Sequence, residues 1–221
     1  MIAFSGMVLR KKSIQFTSVD LIGVTMSIKV VALSGIDGCG KSTQIELLEQ
    51  YFIRENIRYK VIWARPGSTS FVLLMKAIAR FFFRSLPKPG RSEEREGLMK
   101  NSSMGRLWFY LTFLELIYIY KIKARIITMF SYKVIFDRHT LDSVIDYQIL
   151  LERNLFGKWV VTRFLGSDKN CIKICLDISL DESFERCNNK WEPFPDTKEE
   201  KVIRDSIYRE YLPLHGYITL D

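Results

Sequence analysis

The chain has 221 residues, of which 48% are hydrophobic and 26% charged, enough for one substantial core and too balanced for a disordered chain. Its 33 Lys and Arg against 25 Asp and Glu leave a net charge of +8, which favours anionic partners (nucleotides, nucleic acid, anionic lipid) or is simply a basic surface. Cys39, Cys171, Cys175 and Cys187 form no CxxC pair and have no His cluster nearby, which argues for a reduced, cytoplasmic protein over a disulfide scaffold or zinc site.

No run of about 18 uninterrupted apolar residues offers a transmembrane span. At the start, MIAFSGMVLRKK sets a short apolar run before basic residues, the reverse of a secretory signal. Residues 1–25 therefore read as a loose extension, with Met26 as an alternative natural start.

From there, short β-branched runs alternate with helical patterns. Residues 28–34 (IKVVALS), 59–64 (YKVIWA), 132–137 (YKVIFD) and 172–177 (IKICLD) read as buried strands, and 217–220 as a fifth. Stretches such as 43–54 (TQIELLEQYFIR) place apolar residues at helical spacing between them. That alternation predicts an α/β fold: βαβ units forming a parallel sheet of about five strands with helices on both faces, and a ligand site at the carboxyl strand ends. Residues 87–95 (PKPGRSEER) and 188–197 (NNKWEPFPDT) read as polar, proline-bearing loops.

The string Gly35-Ile36-Asp37-Gly38-Cys39-Gly40-Lys41-Ser42, followed by Thr43, fits G-x-x-x-x-G-K-[ST]. Glycines let the backbone curl so that its N–H groups face phosphate oxygens, Lys41 reaches the β- and γ-phosphates, and Ser42 offers a hydroxyl to Mg²⁺. The motif follows an apolar strand and opens an amphipathic helix, the context it requires, and the helix adds its positive N-terminal dipole. A bound ATP is expected on residues 35–43. Asp137, ending the apolar run Val134-Ile135-Phe136, is placed to hold Mg²⁺ or, more plainly, to cap the next helix. An Asn-Lys-x-Asp base-reading motif is missing: the nearest string, Asn189-Lys190-Trp191-Glu192, lacks the Asp. Arg138 directly after Asp137 suits a phosphorylated acceptor better than an attacking water.

On these residues the chain resembles the thymidylate kinases among P-loop nucleoside monophosphate kinases. The resemblance runs from about residue 28 to 221, and its carriers are the P-loop string with Asp37, Arg65-Pro66-Gly67, Asp137-Arg138-His139 with Ser143, Leu176-Asp177-Ile178-Ser179, and Tyr208 with Tyr211. It implies a three-layer P-loop NTPase fold, one kinase domain over 26–221 with a lid at about 188–197, and a homodimer. It also implies small-molecule nucleotide substrates rather than nucleic acid, and transfer from ATP to an acceptor such as dTMP to give dTDP. By the same resemblance Asp37 meets the acceptor sugar, Arg65 and Arg138 grip the acceptor phosphate, and Asp142, where the family has a small residue, joins the acceptor site. Lys41 and Arg138 then carry catalysis.

Two departures bear on this. The P-loop has no internal arginine and the lid offers only Lys190, so Arg186, just before the lid, is the expected substitute. The family also holds its base with a Phe and an Arg about twenty residues before the Asp-Arg pair, whereas residues 107–120 (LWFYLTFLELIYIY) contain no arginine. The resemblance is therefore better to a divergent thymidylate-kinase-like subgroup with an Asp before Ser143 (Asp142) and a Pro-Phe-Pro lid. Residues 71–86 (FVLLMKAIARFFFRSL) place Lys76, Arg80 and Arg84 as a basic stripe on an apolar helix. That surplus of apolar helix reads as a dimer or core face, as peripheral membrane contact, or as a pocket for a lipid-like acceptor. A non-catalytic ATP-binding module is the remaining alternative.

Overall fold

The computed structural model describes residues 28–67, 69–82, 103–151, 171–188, 196–214 and 216–220. The extension 1–25, the loop 87–95, Lys190 and most of the lid fall outside these residues.

Five parallel strands form one sheet in the order β2-β3-β1-β4-β5: β1 (Val30–Ser34), β2 (Tyr59–Trp63), β3 (Lys133–Asp137), β4 (Cys171–Leu176) and β5 (Ile218–Leu220). The helices are α1 (Lys41–Arg54), α2 (Ser70–Phe82), α3 (Ser103–Ile117), α4 (Ala124–Met129), α5 (Thr140–Leu151), α6 (Leu180–Asn188) and α7 (Lys198–Tyr211). This is the α/β P-loop architecture the sequence predicts. β1 and β3 are apolar on both faces because the sheet is covered on both, and Ala32, Leu33, Val134, Ile135 and Phe136 are fully buried. α1 packs Ile45, Leu48 and Phe52 into this core, at the spacing that puts one helix face inward. From α5 come Leu141, Val144 and Ile145.

The register brings Leu33 opposite Asp137 and Ser34 opposite Cys175, so β1, β3 and β4 end together at one edge. The chain leaves β1 towards β2 on one side and β4 towards β5 on the other, so a crevice opens between their carboxyl ends.

Three expectations are corrected. β2 is an edge strand rather than a buried one, with Val61 and Trp63 exposed, since β3 alone flanks it. The helix expected over 107–120 continues: α3 runs through a π-helical stretch, Tyr118–Lys123, into α4. Leu107, Tyr110, Leu114, Tyr118, Ile122 and Ile126 make an exposed apolar ridge along this rod. Lys76 does not join a solvated basic stripe on α2. Its ammonium turns inward, donating to the Gly67 carbonyl (2.8 Å) and lying 4.6 Å from the centre of the Trp108 ring. Arg84 lies outside the described residues. All four cysteines are free thiols. Among the described residues no helix is long and apolar enough to cross a membrane.

Candidate active site

β1 delivers Ser34 to the carboxyl edge and the chain turns at Gly35, φ 140°. A Cβ there would stand 2.5 Å from the Leu176 carbonyl oxygen and 2.7 Å from Cys39 Sγ, so the turn needs glycine. At Gly40, φ 92°, a Cβ would meet nothing within 4 Å; this open face is where α1 begins. α1 has no side-chain cap and no acid in its first turn, which leaves its N-terminal amides and dipole available to an anion.

Lys41 is buried against the loop that precedes it. Its Nζ donates to the carbonyls of Gly35 (2.8 Å) and Ile36 (2.9 Å), with Cys39 Sγ at 3.5 Å and Asp37 Oδ1 at 4.0 Å. Burial pushes the Cys39 thiol up despite Lys41 beside it. Ser183 Oγ donates to the Asp37 carbonyl (2.6 Å) and is itself held by Lys201, buried on α7.

Above the cradle, Arg138 Nη2 donates to Asp37 Oδ1 at 2.8 Å. Arg138 has φ 73°, a left-handed conformation that a non-glycine residue holds only when its surroundings enforce it. Burial raises the Asp37 carboxyl, but Arg138, then Lys41, Arg204 and Arg65 outweigh it and hold the group below the usual carboxylate value. A second carboxylate, Asp146 on α5, faces the same arginines: Arg204 Nη1 at 2.8 Å and Arg65 Nε at 3.9 Å. The closer contact lacks the alignment of a hydrogen bond and acts as charge on charge. Arg204 is anchored from its other side by Asp196, Nε to Oδ2 at 2.9 Å. Burial also opposes ionisation of Asp146, and Arg204, Arg138 and Arg65 reverse it. Arg65, Arg138 and Arg204 thus converge on Asp37 and Asp146, guanidiniums presently neutralised by the protein's own carboxylates.

The sequence-derived residues fall as follows. Residues 35–43 form the cradle, and Asp37 and Arg138 meet directly. Arg65 lies in the same cluster, one-third exposed. Arg186, half-exposed on α6, pairs with Glu182 and donates from Nη1 to the Gly38 carbonyl (3.2 Å), so it does reach the phosphate loop. Asp142 departs from expectation. It is fully buried, and its carboxylate accepts from Ser34 Oγ (2.6 Å), His139 N–H (2.9 Å) and Tyr208 OH (2.7 Å), which leaves it turned away from an acceptor.

Sequence reasoning passed over Asp146, Arg204 and Glu115. Glu115, buried on α3, accepts from the amides of Gly67 and Thr69, both at 2.6 Å, and so clamps the loop after Arg65. A lone carboxylate in the apolar stretch 107–120 was the available signal. Beside it Phe109 stacks on Phe113 (5.9 Å) and meets Tyr147 edge-on (5.0 Å).

Asp137 ends β3 beside Lys41; burial raises its carboxyl, with Lys41 and Arg138 opposing. Ser42, at the head of α1, is exposed. A cavity of about 300 Å³ opens at the β1/β4 crevice, lined among others by Gly35, Asp177, Tyr208, Arg209 and Leu212.

No family model matches the chain. Thymidylate kinases from Thermoanaerobacter sp. (strain X514) and Thermoanaerobacter pseudethanolicus are each 44% identical to it over 41 residues, 19% of this chain. That match spans about a fifth of the length of these curated relatives (20%). Among solved structures, a deoxyadenosine kinase from M. mycoides with bound dATP superposes with a TM-score of 0.47 at 14% identity, over 87% of this chain and 90% of that one. A thymidylate kinase from Ehrlichia chaffeensis gives a TM-score of 0.43 at 20% identity, over 86% and 84%. In sequence, over that fifth of its length, the chain is similar to thymidylate kinases.

Proposed function

We propose that this protein transfers the γ-phosphoryl group of ATP to a nucleoside monophosphate, most closely in the manner of a thymidylate kinase acting on dTMP. The observation that carries the reading is the Asp37–Arg138 pair. It puts a carboxylate and a phosphate-sized guanidinium fork at the rim of a triphosphate cradle, where a generic ATPase needs neither. In the reaction the donor's phosphates lie along the loop amides and the N-terminus of α1. Lys41 leaves the Gly35 and Ile36 carbonyls for the β- and γ-phosphates. The acceptor phosphate takes Arg138 and Arg65, and the released Asp37 accepts from the acceptor's sugar hydroxyl. An acceptor phosphate oxygen attacks in line, and no general base is needed because that oxygen is already ionised. Arg186, which reaches Gly38, supplies beside the transferred group the arginine that the loop itself lacks. Ser42 and Asp137 are the residues to hold Mg²⁺, which neutralises phosphate charge when bound.

Lys41→Ala should lower acceptor-dependent ADP formation by about 10²–10³-fold, the scale for removing one transition-state contact. Arg138→Ala should act mainly on acceptor use, raising acceptor KM and lowering kcat while ATP affinity holds. An Arg138→Ala enzyme with unchanged acceptor dependence removes the basis of the reading.

A further inference from the structure

Asp142 binds no substrate in the arrangement above, yet its buried carboxylate accepts three hydrogen bonds. Its Oδ2 accepts from Ser34, the last residue of β1, and its Oδ1 accepts from the Tyr208 hydroxyl. Tyr208 OH in turn accepts the N–H of Gly35 at 3.3 Å, the first amide of the phosphate loop. One buried carboxylate on α5 thus holds both residues at which β1 becomes the loop, Ser34 directly and Gly35 through a tyrosine of α7. One turn away on each helix the pattern repeats: Asp146 on α5 faces Arg204 on α7. The two rungs, 142 with 208 and 146 with 204, join the antiparallel helices. The second rung continues through Arg204 to Asp196, at the downstream end of the lid segment, and α7 itself starts from the capping box of Thr197 and Glu200.

We propose that Asp142 and Tyr208 are positioning residues for donor binding, setting the start of the phosphate loop from α7. The physical reason is directional. A phosphate cradle works only if its consecutive amides point inward, and Gly35, whose own N–H is given to Tyr208, fixes the turn from which the following amides start. The cavity beside Tyr208 leaves that side of α7 without tight packing against the loop, so orientation there falls to hydrogen bonds rather than to van der Waals contact. Asp142 accepts three donors, and losing any one loosens the same joint.

The inference rests on the reading of residues 35–43 as an ATP site, and the test separates the two. The dissociation constant of a fluorescent ATP analogue is measured on the full chain for wild type, Tyr208→Phe, Ser34→Ala and the double variant, together with KM for ATP and for the acceptor. Wild-type protein that binds no ATP analogue sinks the ATP reading itself. With a binding wild type, Tyr208→Phe should raise the dissociation constant and KM for ATP about five-fold, the weight of one hydrogen bond, and leave acceptor KM within about two-fold. Because both variants act on Asp142, the double variant should weaken binding less than the product of the single effects. Unchanged ATP affinity in folded Tyr208→Phe, or equal losses for both substrates, overturns the proposal. Should Tyr208→Phe fail to fold, Ser34→Ala decides alone: weaker ATP binding supports the proposal and unchanged binding overturns it.

Discussion

Arg138 carries two constraints at once, a left-handed backbone and an ion pair with Asp37. Neighbouring His139 carries another: buried with Lys173 and Lys121 near it, the imidazole is pushed down to about 3 from its ordinary 6.5. A folded pKa below the unfolded one means that the unfolded chain takes up the extra proton. Stability from neutral His139 is therefore complete above about pH 6.5 and is lost as pH falls towards 3, at up to about 1.4 kcal/mol per unit. Urea unfolding at pH 7 and pH 5 should show that slope, and His139→Gln should reduce it; an unchanged slope contradicts the burial account. Asp37 and Asp146 add to acid sensitivity only at lower pH, as their carboxyls are already depressed from 3.8. Glu115 gives a second prediction. A glutamine can accept only one of the Gly67 and Thr69 amides well, so Glu115→Gln should loosen the Arg65 loop, costing about 1–3 kcal/mol in that clamp. Acceptor KM should rise about ten-fold while ATP affinity stays fixed. At this scale the sequence is readable where function is contiguous, as in residues 35–43. Glu115, Asp146 and Arg204 were illegible because the contacts that put them in the site, to Gly67, Arg65 and Asp146, span 48, 81 and 58 residues, and only the fold brings them together.

At the scale of elements, periodicity located all five strands and α1 to within about two residues, because two-sided burial leaves a strong apolar signal in β1, β3 and β4. It misjudged β2, whose β-branched and aromatic residues look the same at an edge as in the middle. It also gave no warning of the π-helical stretch at Tyr118–Lys123, since one extra residue per turn shifts the apolar face without breaking it. α1 lays Phe52 against the central strands, where Phe136 of β3 is likewise fully buried. Phe52→Ala or Phe136→Ala should each cost about 3–5 kcal/mol, measured by denaturant midpoint, because neither site can collapse around the lost ring. Thr197→Ala removes one half of the α7 capping box and should cost about 1 kcal/mol. A smaller loss from the buried phenylalanines than from the exposed cap would contradict the assignment of the core.

For the whole molecule, the order β2-β3-β1-β4-β5 gathers the loops after β1, β2, β3 and β4 at one edge. Residues 35–43, Arg65, Arg138 and Asp177 are each the sequel to a strand, which is why the glycine-rich loop, the arginine–carboxylate cluster and the cavity share that edge. Arg65, Arg138 and Arg204 face Asp37 and Asp146 at that edge, and under the proposed function Arg65 and Arg138 exchange these partners for a phosphate. What phosphate that is decides the central claim. The direct measurement is ADP release from ATP and Mg²⁺ against a panel of nucleoside monophosphates with thymidine and uridine forms included. The account predicts ADP formation that depends on an added monophosphate, strongest with dTMP, and one diphosphate made per ADP. ATP turnover or binding that no monophosphate stimulates would contradict it.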